Sequence, residues 1–274
     1  MTPYDMMIKT NHYLIKGGDL TEAQKENIVC QFLAARSDIQ TRQRFYNGVK
    51  YPGNVDDKGG GRMYPIFYIP PYNDGRKFQT VIPLTPKTQI LSANSYELEI
   101  IRLLFIFAPV NLEVQDMINK TLTRLKTTCY GYNDCAVGEC FHTALIVLRF
   151  LAAAAPGDTE WINKLISFFN RHMVEKLMLR NKGVHGNVLW YYWMCLSELP
   201  FEIAEPEIQK YKDRIIHQLS RSSVMNNEID KINHPVMICV IRNALSRLPE
   251  YAYIKDRQPY LSEKDGRLHF DISA

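Results

Sequence analysis

Cys140 and His142 lie two residues apart in VGECFHTALIVLRFLAAAAP, residues 137–156, where a thiol, an acid and an imidazole precede an apolar run. A cysteine at a helix start is a candidate nucleophile, because the helix N-terminus favours the thiolate and a nearby histidine can take its proton. Cysteine, histidine and aspartate are also zinc ligands, and a catalytic zinc keeps one coordination position open. Two positions along a helix turn the side chain by about 200°, so Cys140 and His142 do not face each other. Their partners must come from elsewhere in the chain.

The surrounding pattern says where to look. Four sixteen-residue segments end in proline: NSYELEIIRLLFIFAP, FHTALIVLRFLAAAAP, HGNVLWYYWMCLSELP and HPVMICVIRNALSRLP, closing at Pro109, Pro156, Pro200 and Pro249. The steps between these prolines are 47, 44 and 49 residues. Aligned on them, Leu98, Leu145, Leu189 and Ile238 share one position, and Ile101, Leu148, Tyr192 and Ile241 a second. Leu104, Leu151, Cys195 and Ala244 share a third, which gives an apolar stripe at helical spacing. Such a period is that of a helical hairpin, which buries its core by stacking on its neighbours. NLEVQDMINKTLTRLK, DTEWINKLISFFNRHMVEKL and EPEIQKYKDRIIHQLS supply second helices, with Asp158 as an N-cap and Pro206 at a first helical position.

The expected fold is therefore mostly α. It comprises α/α helical-hairpin repeats over 91–274, as an open solenoid or partial toroid, closed by a C-terminal cap. Residues 1–90 form a smaller region with a helix after Thr21, a glycine-rich loop, and a β-hairpin. The hairpin arms MYPIFYIPP and KFQTVIPLTP flank Asn73-Asp74-Gly75, a turn signal, while their prolines restrict it to an edge.

The same alignment places Asn94, Phe141, His185 and His234 at one level, with Ser95, His142, Gly186 and Pro235 next to it. If the first helices share an N-terminal rim, His142, His185 and His234 meet there with Cys140, Glu139, Asp134 and Asn187 nearby. One chemistry is a metal site, possible zinc ligands being His142, His185 and Cys140. The other is catalysis with Cys140 as nucleophile, His185 or His234 as base and Asp134 orienting it. The alternative is that these residues cap and turn helices.

Other residues carry two readings each. Trp190 and Trp193 form a pocket wall or pack in a core. Arg149 and Arg242, with Arg102, bind an anion or acidic partner, or bridge neighbouring repeats; Asn187 is a further ligand-binding candidate. Cys129, Cys135 and Cys140 crowd together, but their gaps differ from a paired zinc knuckle, and an inter-repeat loop accounts for them.

Several resemblances bear on these residues. Gly138-Glu139-Cys140, with Ala144, Arg149 and Pro156 following, resembles a transglutaminase-type cysteine helix, although helical sequence follows where that family has strands carrying histidine and aspartate. Gly138-x-Cys140-Phe141 is similar to ovarian-tumour-type deubiquitinases, with Val137 where their aspartate stands. The hairpin layout resembles α/α-toroid enzymes and HEAT/armadillo-like repeat proteins. Phe141-His142-Thr143 is similar to the prenyltransferase Tyr-His-Thr, which implies a zinc-binding His142. Cys129-Tyr130-Gly131 and His185-Gly186 resemble lanthionine-cyclase motifs, with Val184 replacing one cysteine ligand.

Composition narrows the classes. The net charge of +4 is small, and no basic run reads as a nucleic-acid footprint. The longest apolar stretch is broken by Arg149 and too short to span a bilayer, and the N-terminus lacks a signal-peptide pattern. Six dispersed cysteines fit reduced thiols in the cytoplasm. The first functional expectation is a repeat protein binding a peptide or protein on its concave face. The alternative is a toroid-like enzyme with a Cys/His/Asp site, zinc being a possible cofactor, on the rim.

Overall fold

The computed structural model describes residues 1–37, 78–132, 140–173, 186–220, 223–224, 228–261 and 267–269, and the chain is mostly helical. In chain order come α1 (Pro3–Ile15), α2 (Glu22–Ala34), α3 (Gln89–Phe107), α4 (Leu112–Leu125), α5 (Phe141–Ala154) and α6 (Thr159–Met173). There follow α7 (Gly186–Glu198), α8 (Phe201–Ser220), β1 (Ser223–Val224), α9 (Glu228–Leu245), a 3-10 helix (Pro249–Ile254), β2 (Tyr260–Leu261) and β3 (Arg267–His269).

The chain divides into two compact units, one of residues 1–8 and 20–182 and the other of residues 9–19 and 183–274. The expected boundary at 90/91 therefore lies inside the first unit. α1 contributes its first half to one unit and its second half to the other.

In the first unit α3 packs on α5, α4 on α3, α6 on α5, and α2 on α3. In the second unit α9 packs on α7, and α8 on both. Local chemistry sets the helix ends. Thr21 and Gln24 form a reciprocal capping box at α2. Asn111 accepts from the backbone of Glu113 and Val114, and Asp158 from that of Trp161, which satisfies otherwise orphaned first-turn donors. α3 and α5 stop in the same manner: Ala108 (φ −138, ψ 57) and Ala155 (φ −149, ψ 54) leave the helical region. Each precedes a proline, whose Cδ disfavours helical backbone in the residue before it.

The twelve apolar stripe residues are all buried, none more than 4% exposed. Two ion pairs are buried with them. Arg124 Nη2 meets Glu97 at 2.5 Å, and Arg149 Nη1 meets both oxygens of Glu99, at 2.9 and 3.2 Å. The second pair ties α3 to α5.

Several expected boundaries move. α3 and α9 begin at Gln89 and Glu228, so Asn94, Ser95, His234 and Pro235 lie inside helices rather than at their caps. α8 begins at Phe201, and Pro206 sits within it instead of opening it. Most of the expected β-hairpin, including its turn, lies outside the described residues. Its second arm, from Phe78, forms no strand: Pro83 and Pro86 lack N–H donors, and Thr80 and Leu84 close a compact loop on each other. Phe78, Val81, Ile82 and Leu84 of this loop are buried. The described strands are instead near the C-terminus, in a small antiparallel sheet ordered β1-β3-β2.

Candidate functional site

Of the expected rim residues, Cys140, His142, Asn187 and His234 are described. Cys140 occupies the N-cap position of α5, buried, and makes no side-chain cap bond. Its Sγ lies 3.3 Å from Cys129 Sγ, neither being in a disulfide. His142, on the first turn, is half-buried with Nδ1 3.0 Å from the Thr85 carbonyl. A carbonyl only accepts, so Nδ1 carries the proton and Nε2 is the basic ring nitrogen. Cys140 and His142 belong to the first unit; Asn187 and His234, both half-buried, belong to the second. Asp134 and His185 lie outside the described residues. Among the described residues no group of three or more His, Cys, Asp or Glu is placed to hold a metal ion.

The arginines face inward. Arg149, 1% exposed, spends its Nη1 on Glu99. Arg242, 2% exposed, donates to Asn243 Oδ1 from Nε and Nη2, to the Arg257 carbonyl at 2.7 Å and to the Ile15 carbonyl. Both thus act as internal struts, with no exposed guanidinium for an anion or an acidic partner. Trp193 is buried beside the half-buried Trp190, ring centroids 5.8 Å apart. Behind Cys140, Tyr130 is fully buried, and burial pushes its phenol far above the usual range. The neighbouring Gly131 carbonyl accepts from Trp161 Nε1 at 2.6 Å, which fixes this loop against α6.

Two features fall where no motif pointed. At the α3–α4 turn of the first unit, Val110 is 84% and Leu112 81% exposed, and Ile106, in the last turn of α3, is 39% exposed. The second unit holds a pocket of about 420 Å³ at the C-terminal ends of α1, α7 and α9. This is the opposite end of α7 and α9 from the expected rim. Leu14, Met194, Phe201 and Val240 form its apolar wall, and Ser197, Glu198, Ser246, Arg247 and Lys255 its polar part.

The proline alignment does contain a signal for this pocket. Three and two residues before the proline stand Ser197-Glu198 and Ser246-Arg247, where the first two segments have Ile106-Phe107 and Ala153-Ala154. Polarity appears at one shared level in the last two segments, and both pairs line the pocket.

No family model matches this chain, and no curated protein or solved structure is similar to it. Among the described residues, no helix is long and apolar enough to cross a membrane.

Proposed function

We propose that the chain is a helical-hairpin repeat protein of the cytoplasm that binds a peptide or protein segment. The carrying observation is the aliphatic corner at the α3–α4 turn, where Val110 and Leu112 are more than four-fifths exposed. Side chains of this kind lose water favourably when a partner covers them, and clustered exposure marks interaction sites more often than scattered exposure does. Helix starts capped by Thr21, Asn111 and Asp158, and buried ion pairs such as Arg149–Glu99, support a scaffold role. The four proline-terminated helices with a common buried stripe support the repeat arrangement.

The test is selection of phage-displayed random peptides on the immobilised full chain, followed by affinity measurement of the winners. The expected result is a consensus with closely spaced apolar side chains, whose binding is lost in a Val110→Asp/Leu112→Asp variant. Both positions are solvent-facing, so the variant keeps its fold. A consensus bound equally by parent and variant would remove the corner from the binding surface.

A further inference from the structure

The pocket of the second unit lies where three helices end. Free carbonyls at helix C-termini ordinarily favour a cation there. Here the carbonyls of α1 and α9 are occupied. In α1, His12, Tyr13 and Leu14 accept from the backbone of Lys16, Gly18 and Gly17, and Ile15 accepts from Asn243 Nδ2 at 2.9 Å. In α9, the Arg242, Ala244 and Leu245 carbonyls accept from Ser246, Arg247 and Leu248, and Asn243 accepts from the Ser246 hydroxyl. In α7, Met194 accepts from the Ser197 hydroxyl and Cys195 from the Leu199 backbone.

What remains for the cavity is a set of donors. Arg247 uses Nη2 on the Leu199 carbonyl at 2.7 Å and lies over the Phe201 ring, 5.9 Å from its centroid. Its Nε is buried with no hydrogen-bond partner among the described residues. A buried donor left unmet costs about 1–3 kcal/mol, more when charged, so a counter-anion on this guanidinium is favoured. Exposed Lys255 adds a second cation at the mouth. Against these two cations stands one carboxylate, Glu198.

We infer that this pocket binds a small organic monocarboxylate with a short apolar body. The carboxylate meets Arg247 and Lys255, and the body lies against Leu14, Met194, Phe201 and Val240. Charge-assisted bonds from guanidinium to carboxylate are the stronger kind. Inorganic phosphate lacks the apolar body that Leu14, Met194, Phe201 and Val240 would cover. The volume falls in the lower part of the range for ligand sites, about 300–1,000 Å³. A free acid and the C-terminal carboxylate of a peptide present the same chemistry.

Isothermal titration calorimetry on the full chain tests this with hexanoate, hexanamide, inorganic phosphate, acetyl-Gly-Leu and its C-terminal amide. The expected result is saturable hexanoate binding, with hexanamide weaker by about tenfold or more and phosphate not competing. Arg247→Gln weakens hexanoate by at least a similar factor. Lys255→Gln, at an exposed position that the fold does not need, weakens it several-fold. Tighter binding of acetyl-Gly-Leu than of hexanoate and of the amide identifies a chain terminus as the source; the reverse order identifies a free acid. Equal binding of hexanoate and hexanamide, no hexanoate binding at millimolar concentration, or unchanged affinity in both variants overturns the proposal. The Val110→Asp/Leu112→Asp variant binds hexanoate as the parent does, which separates this site from the peptide surface.

Discussion

Replacing Arg149 by methionine keeps most of the side-chain volume on α5 and removes the guanidinium from Glu99. Both partners are 1% exposed, so the change leaves a carboxylate in the core with its cation gone. Breaking a buried pair from one side costs about 3–5 kcal/mol, whereas replacing both members by apolar residues is often near neutral. With an m-value of about 2 kcal/mol/M, the single variant's urea midpoint falls by about 1.5–2.5 M. A Glu99→Leu/Arg149→Met double variant recovers most of that loss. Trp161, in a Trp190→Phe/Trp193→Phe background, reports fluorescence from the first unit alone, which keeps unfolding of the second unit out of the signal. Arg149→Met costing less than about 1 kcal/mol, or a double variant as unstable as the sum of its singles, would refute a buried strut between α3 and α5.

The second unit has an alkaline counterpart. Tyr192 donates to Glu207 at 2.8 Å, and burial, reinforced by Glu207, holds its phenol well above its ordinary value; burial also pushes Tyr211 up to about 12. The unfolded phenol ionises near about pH 10, so the stabilisation is intact below that pH and is lost as pH rises above it through the folded-state value. Urea midpoints measured across this range should fall less steeply in Tyr192→Phe, and parallel slopes would exclude Tyr192 as the cause. Cys129 and Cys140, at 3.3 Å, should form an internal disulfide under mild peroxide. The two thiols lose two electrons and two protons, which reduce one peroxide to two waters. Peptide mapping after alkylation should find them linked, and a pair that both alkylate fully would exclude the contact.

How much of this was legible in the sequence depended on which force set each feature. The stripe from Leu98 to Ala244 was readable because burial imposes helical spacing on apolar residues. Thr21 and Asp158 were readable because a cap is a contact over three residues. Helix starts were harder: His234-Pro235 and Asn94-Ser95 look like caps, yet α9 and α3 continue upstream through packing that no local signal records. Arg149 and Arg242 are charged groups whose partners, Glu99 and Ile15, are supplied by tertiary structure. The pocket has no local motif for a related reason. Its clue was a change in polarity between equivalent positions of different segments, from Ala153-Ala154 to Ser246-Arg247.

The partition of α1 has a consequence for how the protein is made. Asn243 closes its bond to the Ile15 carbonyl across 228 residues. Elongation at about 10 residues per second separates the emergence of these two partners by roughly 20 s. Throughout that interval Leu14 and Ile15 are on the nascent chain without α9, their apolar surface not yet covered by it. The first unit has all its segments out well before then, so the two halves of α1 acquire their native surroundings in separate episodes of one synthesis. A fragment starting at residue 183 would lack that strand of the second unit's fabric altogether, and with it one wall of the pocket.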